Sequence, residues 1–578
     1  MTSSMHPRLA VIADAHFHDP DAGYGLAEGG GATGAAGFRR LAETARSLRV
    51  FNESRGALEH TLDDIVARKI KHVILLGDYS DDGQIATLAG LRRILEQYSA
   101  KSGLRFYATV GNHDIFGQEG RHRTKRILNA AGGYDIVTSN PALRDAEAGH
   151  VHVCGAMYCQ GYPEGLQALP DVGFFGASTA LHWETPFVQG ASLDGRAPGQ
   201  PRMDASYLIE PFDGVWLLMI DANVFRPLTP AELPLHDEKH ADSAAAGWNA
   251  MLSHKAFILE WMGDVARRAQ SLGKQLLTFS HYPVLDPLAG TGLQEEASLR
   301  LTGFAGRIPG PDVGRAMINC GIATHFSGHL HVNDTARYRQ GDGFVVNVSV
   351  PSLVAFPSAY KIIDIDDTAL KIETVEITDM LLNPKITARY DMEILQTGLK
   401  AGGLADCTDY GDFLYEHIGH LVVRRHLRRD WPQDLAAVFH NTTLADLAAI
   451  AMTGAACLAD DLTPQLAQFR TPSMTKAVAK LEAQAGLAEG ALAEIPALSF
   501  LKDWYRLRMG RDFAQDRLRN TDLQAYRLVA GLFAGLTTDA GSLQERLALV
   551  FTIFTKYLTG LPSRNFSIDL QSGTILRQ

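Results

Sequence analysis

The sequence predicts an α/β fold followed by a helical region, and three observations lead to this prediction. Short apolar runs that end in turn residues recur through the first two thirds of the chain, as buried strands do. Apolar residues at helical spacing lie between such runs, as in Phe38–Lys69. From about residue 412 to residue 559 the pattern is helical, and Leu543, Val550 and Phe554 mark one apolar face of a late helix.

Composition limits the classes of protein to which this chain can belong. It has 578 residues, of which 46% are hydrophobic and 21% charged, as in an ordinary globular protein with more than one domain. A net charge of −11 disfavours a general nucleic-acid-binding surface. The sequence shows neither an apolar run of membrane-spanning length nor a signal region, and its five cysteines form no CxxC pair. We therefore expect a cytoplasmic protein that does not bind membranes.

Five polar motifs follow five of the apolar runs, and each motif contains residue types that bind metal ions. The runs are Leu9–Ala13, His72–Leu76, Phe106–Val110, Gln275–Phe279 and Ala323–Phe326. The motifs are Asp14-Ala15-His16, Gly77-Asp78, Gly111-Asn112-His113-Asp114, Ser280-His281 and Gly328-His329-Leu330-His331. Open α/β sheets build their sites at the carboxyl ends of strands. The order of the motifs therefore predicts one shared site.

The donor atoms of this site indicate which metals it binds. The candidate ligands comprise two carboxylates, one amide oxygen and four imidazoles, without a thiolate. Such a set suits manganese, iron or zinc better than copper(I) or an iron–sulfur cluster. Seven ligands are too many for one ion but suit two ions that share a carboxylate. Pairs of ions about 3.5–4 Å apart are a recurring device for hydrolysing phosphate esters.

These motifs resemble those of the calcineurin-like metallophosphoesterase superfamily, and their spacing is similar to that of its class III cyclic-nucleotide phosphodiesterase branch. The resemblance covers roughly the first two thirds of the chain and implies a four-layer α/β/β/α sandwich of two mixed sheets. It also implies a centre of two divalent or mixed-valence metal ions, whose identity as manganese, iron or zinc stays open. One ion would be held by Asp14, His16 and His331, and the other by Asn112, His281 and His329. Asp78 would bridge the two.

The resemblance also implies a reaction, the hydrolysis of a small-molecule phosphate ester. A hydroxide that bridges the metals would attack phosphorus, and His113 would face the substrate and assist the leaving oxygen. Asp114 would orient His113 through a hydrogen bond to its other ring nitrogen. Two rivals stay open on this fold, a non-catalytic binding scaffold and a repair-type nuclease.

Within the enzyme prediction, two arguments favour a phosphodiester over a phosphomonoester. The spacing of the Gly-Asn-His-Asp and Gly-His-x-His motifs resembles that of the phosphodiesterase branch. The sequence also shows no obvious cluster of arginines near the motifs, which is a common device for holding a doubly charged phosphate. Hydrolysis of a phosphomonoester at the same site remains the alternative.

Several polar residues near the motifs allow two interpretations. His18 and Asp19 could contact the metal ligands or play a structural role. Asn52 and Glu53 could touch substrate, although polar residues on a helix surface are the default. Asp221, at the end of the apolar run Val215–Ile220, is expected to support the site without binding metal. Three other histidines are expected to be structural or exposed, namely His72, His236 and His325.

The predicted domains are 1–385, with the catalytic site, and 386–578, which is mainly helical, of unknown role, and could mediate homo-oligomerisation. The catalytic domain carries an insertion at about 118–201. Its later part, Tyr162–Pro201, is rich in aromatic residues and could be a lid over the metals or a surface excursion. Gly343–Val348 and Tyr360–Ile365 are predicted strands of a second sheet. A fragment that ends near Pro384 is expected to keep the complete ligand set.

Overall fold

The computed structural model describes residues 7–22, 24, 26, 37–129, 131–144, 150–187, 204–235, 238–299, 305–453, 467 and 469–578. The chain forms two compact units. The first unit consists of Met1–Pro287, Arg307–Leu414 and Pro562–Gln578. The helical unit consists of Leu288–Gly306 and Tyr415–Leu561. No helix among the described residues is both long and apolar enough to cross a membrane.

All the described strands belong to the first unit. They are β1 (Arg8–Ile12), β2 (His72–Leu76), β3 (Arg105–Thr109), β4 (Thr124–Leu128), β5 (Tyr134–Thr138), β6 (Val151–Val153), β7 (His182–Glu184), β8 (Tyr207–Phe212), β9 (Val215–Ile220), β10 (Gln275–Ser280), β11 (Thr324–Ser327), β12 (Thr335–Gln340), β13 (Gly343–Ser349), β14 (Ala359–Ile365), β15 (Ala369–Glu376), β16 (Phe566–Asp569) and β17 (Ile575–Arg577).

The α-helices lie in both units. They are α1 (Leu41–Thr44), α2 (Ser54–Ala67), α3 (Ile85–Ser102), α4 (Tyr162–Gln167), α5 (Gly247–His254), α6 (Ala256–Leu272), α7 (Gly292–Ser298), α8 (Pro311–Asn319), α9 (Pro384–Thr397), α10 (Tyr410–Leu421), α11 (Leu427–Arg429), α12 (Gln433–Asn441), α13 (Leu444–Met452), α14 (Pro472–Gln484), α15 (Ala491–Glu494), α16 (Ala497–Gly510), α17 (Asp512–Arg517), α18 (Asn520–Ala534) and α19 (Leu543–Thr559).

Two seven-stranded mixed sheets form the centre of the first unit. The first sheet has the order β17-β16-β15-β14-β1-β2-β3, in which β1, β2 and β3 are parallel. The second sheet has the order β12-β13-β11-β10-β9-β8-β7, in which β9, β10, β11 and β13 are parallel. The central strands are almost fully buried, as expected for parallel strands covered on both faces. The α/β sandwich fold predicted from the sequence is confirmed.

The five strands expected before the metal motifs are present as β1, β2, β3, β10 and β11, each shifted by at most one residue. Two other predictions need correction, one for the second sheet and one for a helix. β13 lies in the second sheet as expected, whereas β14 and β15 lie in the first sheet, because β14 pairs antiparallel with β1. The predicted helix Phe38–Lys69 is two helices, α1 and α2, separated by irregular chain at 45–53.

The insertion at about 118–201 contains a third, three-stranded sheet of β4, β5 and β6, which the sequence did not predict. Tyr162 and Phe174 of its aromatic residues are buried in the first unit, whereas Phe175 is exposed. Residues 188–203 lie outside the described part of the chain, so the lid interpretation of Tyr162–Pro201 stays a prediction.

The helical unit contains the late helix expected from the apolar residues at 543–558, which is α19. Thr471 caps α14 as its sequence predicts, because its side chain accepts a hydrogen bond from the Met474 N–H. The corresponding Thr463-Pro464 lies outside the described residues. Helix α7 belongs to this unit because Glu295 forms a buried, two-pronged ion pair with Arg508 of α16, at 2.9 and 2.7 Å.

The extents of the units differ from the predicted stretches 1–385 and 386–578. Helix α9 and the start of α10 belong to the first unit, and the last residues of the chain return to it as β16 and β17. Lys361 of β14 helps to anchor this return, because its buried ammonium donates a hydrogen bond to the Ser563 carbonyl at 2.9 Å. A fragment that ends near Pro384 therefore keeps every candidate ligand but loses two strands of the first sheet. As functional assignments, the two domains stay predictions.

We expect the chain terminus to stabilise the first unit. Phe566 is fully buried in β16, so Phe566→Ala should lower the free energy of unfolding of that unit by about 3–5 kcal/mol, the usual cost of truncating a core phenylalanine. Ser567→Ala, on the alternate face of the same strand, is the control and should cost less than about 1 kcal/mol. Denaturant unfolding followed by tryptophan fluorescence measures both. Equal effects of the two substitutions would contradict a structural role for the terminus.

Candidate metal centre

The candidate ligands lie at the carboxyl ends of strands from both large sheets. Asp14 and His16 follow β1, Asp78 follows β2, and Asn112 follows β3, all in the first sheet. In the second sheet, His281 follows β10, and His329 and His331 follow β11. All seven side chains are buried, with exposures of 8% or less. The site predicted from five separate motifs is therefore one place, at the common edge of the two sheets.

Three of the side chains form a first cluster, namely Asp14, His16 and His331. The Nε2 atoms of His16 and His331 lie 3.2 Å apart, and Asp14 Oδ1 lies 3.3 Å from His331 Nε2. Two imidazole nitrogens and a carboxylate oxygen thus converge within one coordination sphere, which is a donor set suited to a divalent metal ion.

Asp78, His281 and His329 form a second cluster. His329 Nδ1 lies 3.2 Å from His281 Nε2, and Asp78 Oδ2 lies 3.3 Å from the same nitrogen. Asp78 Oδ2 also lies 3.6 Å from His16 Nε2 of the first cluster. Asp78 therefore stands between the two clusters, in the place expected of a bridging carboxylate.

Asn112 completes the set of candidate ligands. Its side-chain oxygen is buried and accepts no hydrogen bond from any described residue. A buried acceptor without a partner is costly. A metal ion would supply the missing partner, so this atom supports the fit of the residues to a metal centre.

Hydrogen bonds from the backbone fix which ring nitrogens are free to bind metal. His281 Nδ1 donates to the Leu76 carbonyl at 3.0 Å, so the lone pair of its Nε2 points toward Asp78. His329 Nε2 donates to the Ala244 carbonyl at 3.1 Å, which leaves Nδ1 as its ligand atom. Such partners orient ligating histidines and set their tautomers in known metal sites.

Burial and mutual attraction shift the pKa values of two candidate ligands, His281 and Asp78. Burial disfavours a charge on His281, but the adjacent Asp78 outweighs burial and raises the pKa of His281 to about 9. Burial also disfavours the charged Asp78, but His281, His113 and His16 outweigh it and hold the Asp78 pKa well below its ordinary value. Asp78 and His281 therefore each favour the charged form of the other.

Glycines of the motifs allow the ligands to approach one another. A Cβ atom on Gly111 would lie 2.1 Å from Asp78 Oδ1, and one on Gly328 would lie 2.3 Å from Asp14 Oδ2. A Cβ atom on Gly77 would lie 2.6 Å from the ring of His281. None of these distances is tolerable for carbon. The glycine in each motif is therefore required by the packing of a neighbouring ligand.

Most of the candidate ligands have an unusual backbone conformation. A positive φ in the left-handed region, between 38° and 71°, occurs at Asp14, His16, Asp78, His329 and His331. Few non-glycine residues adopt this conformation, although aspartate and histidine tolerate it better than most residues. Strained backbone concentrates at functional sites, where the surrounding structure enforces it.

His113 lies beside the first cluster, with its ring centroid 5.0 Å from that of His16. The structure corrects the predicted partner of this histidine. His113 Nδ1 lies 2.5 Å from Asp82 Oδ1, so Asp82, and not Asp114, holds the ring. Asp114 instead accepts hydrogen bonds from the Gly111 N–H and from the Ser80 N–H and hydroxyl. It braces the loops that carry Asp78 and Asn112.

Asp82 belongs to a buried group of charges, which we call the basic cluster, made of Arg39, Arg49, Arg123 and Lys125 around Asp81 and Asp82. Arg49 donates to Asp81 at 2.8 Å, and Arg123 lies 3.3 Å from Asp82. Burial disfavours the charge on Asp81, but Lys125, Arg49 and Arg39 outweigh burial and hold its pKa far below the ordinary value. The prediction that no arginine cluster lies near the motifs is therefore wrong.

The polar residues with two interpretations have structural contacts. The His18 ring bonds to the Gly37 carbonyl at 2.7 Å, and Asp19 pairs with Arg93 at 3.0 Å. Asn52 and Glu53 are buried rather than on a helix surface, and both bond to the Tyr390 hydroxyl at 2.9 Å. These four residues therefore have hydrogen-bond or ion-pair partners within the protein.

Among the other histidines, the buried His325 bonds to Ser280 and Asn347, each at 2.8 Å, as expected of a structural residue. His72 is half-buried and bonds to the Tyr107 hydroxyl at 3.1 Å. His236 lies outside the described residues. No disulfide joins the described cysteines.

Asp221 lies where a supporting residue is needed. It accepts hydrogen bonds from the Tyr162 hydroxyl at 2.6 Å and from the Asn223 N–H at 2.9 Å. The Asn223 amide in turn donates to the Gly111 carbonyl at 3.3 Å. This chain of bonds links the insertion to the loop that carries Asn112, and Asp221 itself makes no part of either ligand cluster among the described residues.

Comparison with known proteins gives one family match. Residues 7–155 match the family model described as "Calcineurin-like phosphoesterase". No curated protein matches the chain.

Three solved structures resemble the chain, each at low identity. A dimetal phosphatase from Danio rerio is 14% identical, over 64% of this chain and 95% of its own, with a TM-score of 0.33. GAP50, the anchor in the inner membrane complex of Plasmodium, is 10% identical, over 64% of this chain and 85% of its own, with a TM-score of 0.25. Phosphopantetheinyl hydrolase from Mycobacterium tuberculosis is 12% identical, over 60% of this chain and 90% of its own, with a TM-score of 0.23.

The matched segment contains the first three metal motifs, with Asp14, Asp78 and Asn112. The class III cyclic-nucleotide phosphodiesterase branch stays a prediction. The family match bears out the wider resemblance over residues 7–155, which match the calcineurin-like phosphoesterase model.

Proposed function

We propose that this protein is a dinuclear-metal phosphoesterase. The observation that carries the proposal is the position of Asp78 Oδ2, 3.6 Å from His16 of one cluster and 3.3 Å from His281 of the other. A carboxylate between two clusters of imidazole and carboxylate donors is the arrangement that two divalent ions require. The donor set accepts manganese, iron or zinc.

Two divalent ions bound there would lower the pKa of a bound water and neutralise the charge of the phosphoryl group. The chain itself supplies the proton for the leaving oxygen. His113 has Nδ1 on Asp82, so its Nε2 is the atom that can deliver a proton. Asp82 would stabilise the imidazolium form and hold the ring in place. The backbone of the same residue is also fixed, because the His113 backbone N–H donates to Asp78 Oδ1 at 2.8 Å.

Two ester classes are candidates for the substrate. A small-molecule phosphodiester is the first, because the motif spacing resembles that of the phosphodiesterase branch. A phosphomonoester is the second, and the basic cluster is the observation that favours it, since arginines suit doubly charged phosphate. The diester stays first because Asp81, Asp82 and Glu43 take up most of the positive charge of that cluster.

The setting of the enzyme is also a proposal. We propose a cytoplasmic location, no general nucleic-acid or membrane binding, and a homo-oligomer formed through the helical region. Size-exclusion chromatography with light scattering, on the full chain and on a variant with surface charges placed on α14 or α18, would test the oligomer.

We expect the bridging position to be sensitive to small displacements. Gly111→Ala removes no ligand but puts a methyl group 2.1 Å from the present position of Asp78 Oδ1, which must move. It should reduce bound metal below two equivalents and lower turnover by about 100-fold, the usual effect of misplacing a catalytic group by about 1 Å. Asp78→Asn should do the same, because a neutral amide cannot balance two dications.

Elemental analysis and rate measurements on the same samples test this prediction. Gly155→Ala is the matched control, because its added Cβ would meet nothing within 4 Å. Two full equivalents of metal with normal turnover in Gly111→Ala or Asp78→Asn would remove Asp78 from the bridging role.

We expect His113 to act in catalysis and not in metal binding. His113→Ala should keep both metals and lose about 10²–10⁴-fold in rate, the range typical of a general acid. The loss should be smallest for good leaving groups such as nitrophenolate, which need no proton. Asp82→Asn should reproduce part of this loss and its dependence on the leaving group. A metal-free His113→Ala variant would show instead that His113 is a ligand.

The ratio of kcat/KM values for a diester and a monoester distinguishes the two ester classes. If the diester is the substrate class, kcat/KM for bis(p-nitrophenyl) phosphate should exceed that for p-nitrophenyl phosphate, with the same metal and at the same pH. A ratio well below one would move the assignment to the phosphomonoester and leave the dinuclear centre unchanged.

A further inference from the structure

Arg49 lies beside the catalytic histidine, on a stretch that the sequence predicted to be helical. It belongs to the irregular chain between α1 and α2, and its side chain is 16% exposed. Arg49 Nη1 lies 3.4 Å from His113 Nε2, the atom assigned to proton delivery. A phosphoryl oxygen that accepts a hydrogen bond from His113 Nε2 therefore lies within reach of Arg49 as well.

The hydrogen-bond donors of Arg49 are only partly used. Its Nη2 donates to Asp81 at 2.8 Å, which fixes the guanidinium in place. Its Nε is buried and meets no acceptor among the described residues. The contact of Nη1 with His113 is longer than a good hydrogen bond. A buried guanidinium with spare donors next to a phosphate site fits an anion.

The basic cluster holds more cations than carboxylates, and its member Arg49 lies beside His113. Arg39, Arg49, Arg123 and Lys125 share three carboxylates, Glu43, Asp81 and Asp82, and Arg49 contacts Asp81 at 2.8 Å and Asp82 at 3.5 Å. These four cations therefore carry one positive charge more than the three carboxylates neutralise. Its guanidinium lies beside the His113 ring, with Nη1 at 3.4 Å from Nε2 and Nη2 at 3.4 Å from Nδ1.

We propose that Arg49 is a specificity-determining residue that favours the doubly charged phosphoryl group of a phosphate monoester over the singly charged group of a diester. The proposal rests on the proposed phosphoesterase function, and it holds whichever ester the wild-type enzyme prefers. Nη1 of Arg49 would donate to a phosphoryl oxygen, and the gain is larger for the group with the greater charge. Arg49 thus sets the ratio between the two activities.

The test compares three variants at pH 8, where a phosphate monoester, with a second pKa near about 6, is a dianion. Arg49→Met keeps the length of the side chain and removes its charge. Arg49→Lys keeps the charge and removes the planar fork. Arg46→Met, three residues away and exposed, is the matched control. kcat/KM is measured for p-nitrophenyl phosphate and bis(p-nitrophenyl) phosphate, with circular dichroism and metal content as checks of folding.

Arg49→Met should raise the diester-to-monoester ratio at least about tenfold, the effect of losing one charge-assisted hydrogen bond. Arg49→Lys should raise it less, and Arg46→Met should leave it unchanged. Equal losses on both esters in Arg49→Met would overturn the proposal, since Arg49 would then only support the fold of the site. If Arg49→Met does not fold, an unchanged ratio in Arg49→Lys overturns it.

Failure of the proposed function itself looks different. In that case the wild-type protein, loaded with manganese, iron or zinc, hydrolyses neither ester. Activity on both esters with a ratio that Arg49 does not affect would leave the phosphoesterase assignment intact and remove only the role of Arg49.

Discussion

The site depends on one carboxylate, Asp78, held at the junction of two sheets. Its Oδ2 faces imidazoles from both sheets, His16 after β1 and His281 after β10. Its Oδ1 accepts the backbone N–H of His113. A buried carboxylate is tolerable only when its charge is matched and its oxygens are bonded. Asp78 meets both conditions only where the two sheets adjoin, because its imidazole partners come from both sheets. Assembly of the site therefore depends on the packing of the two sheets.

The backbone carries the cost of that junction. Asp78 and His16 have left-handed backbone, and Gly111 must lack a side chain for the Asp78 carboxylate to fit. Each such feature is unfavourable alone, by an amount on the order of 1–3 kcal/mol for a strained residue. They persist because the strands that precede them are almost fully buried, and a close-packed core resists the backbone shifts that would relieve the strain. The stable sandwich thus enforces a geometry that the loops would not adopt by themselves.

The sequence predicted which side chains come together because each motif is local, a strand followed by a turn that carries polar residues. It failed where the relevant contact is distant along the chain. Asp82 was missed as the partner of His113 because an Asp-Asp pair after a motif resembles an ordinary polar turn, and Asp114 is nearer in sequence. Arg49 was missed because the apolar spacing of 38–69 conceals the break between α1 and α2. The return of β16 to the first sheet has no local signal, since any short alternating strand can pair with any open edge.

Both Asp82 and Arg49 belong to the basic cluster. Asp82 orients His113, Asp81 fixes Arg49, and Lys125, which contacts both carboxylates, comes from β4 of the insertion. Three segments far apart in sequence, at 39–49, 81–82 and 123–125, therefore meet beside His113. The cluster draws its residues from the chain on either side of α1, from the loop at 81–82 and from the insertion. A buried network of this kind is costly when incomplete, because removal of one partner leaves a charge unmatched in a low-dielectric setting. Loss of Asp82 would therefore remove a carboxylate that contacts both His113 and Arg49.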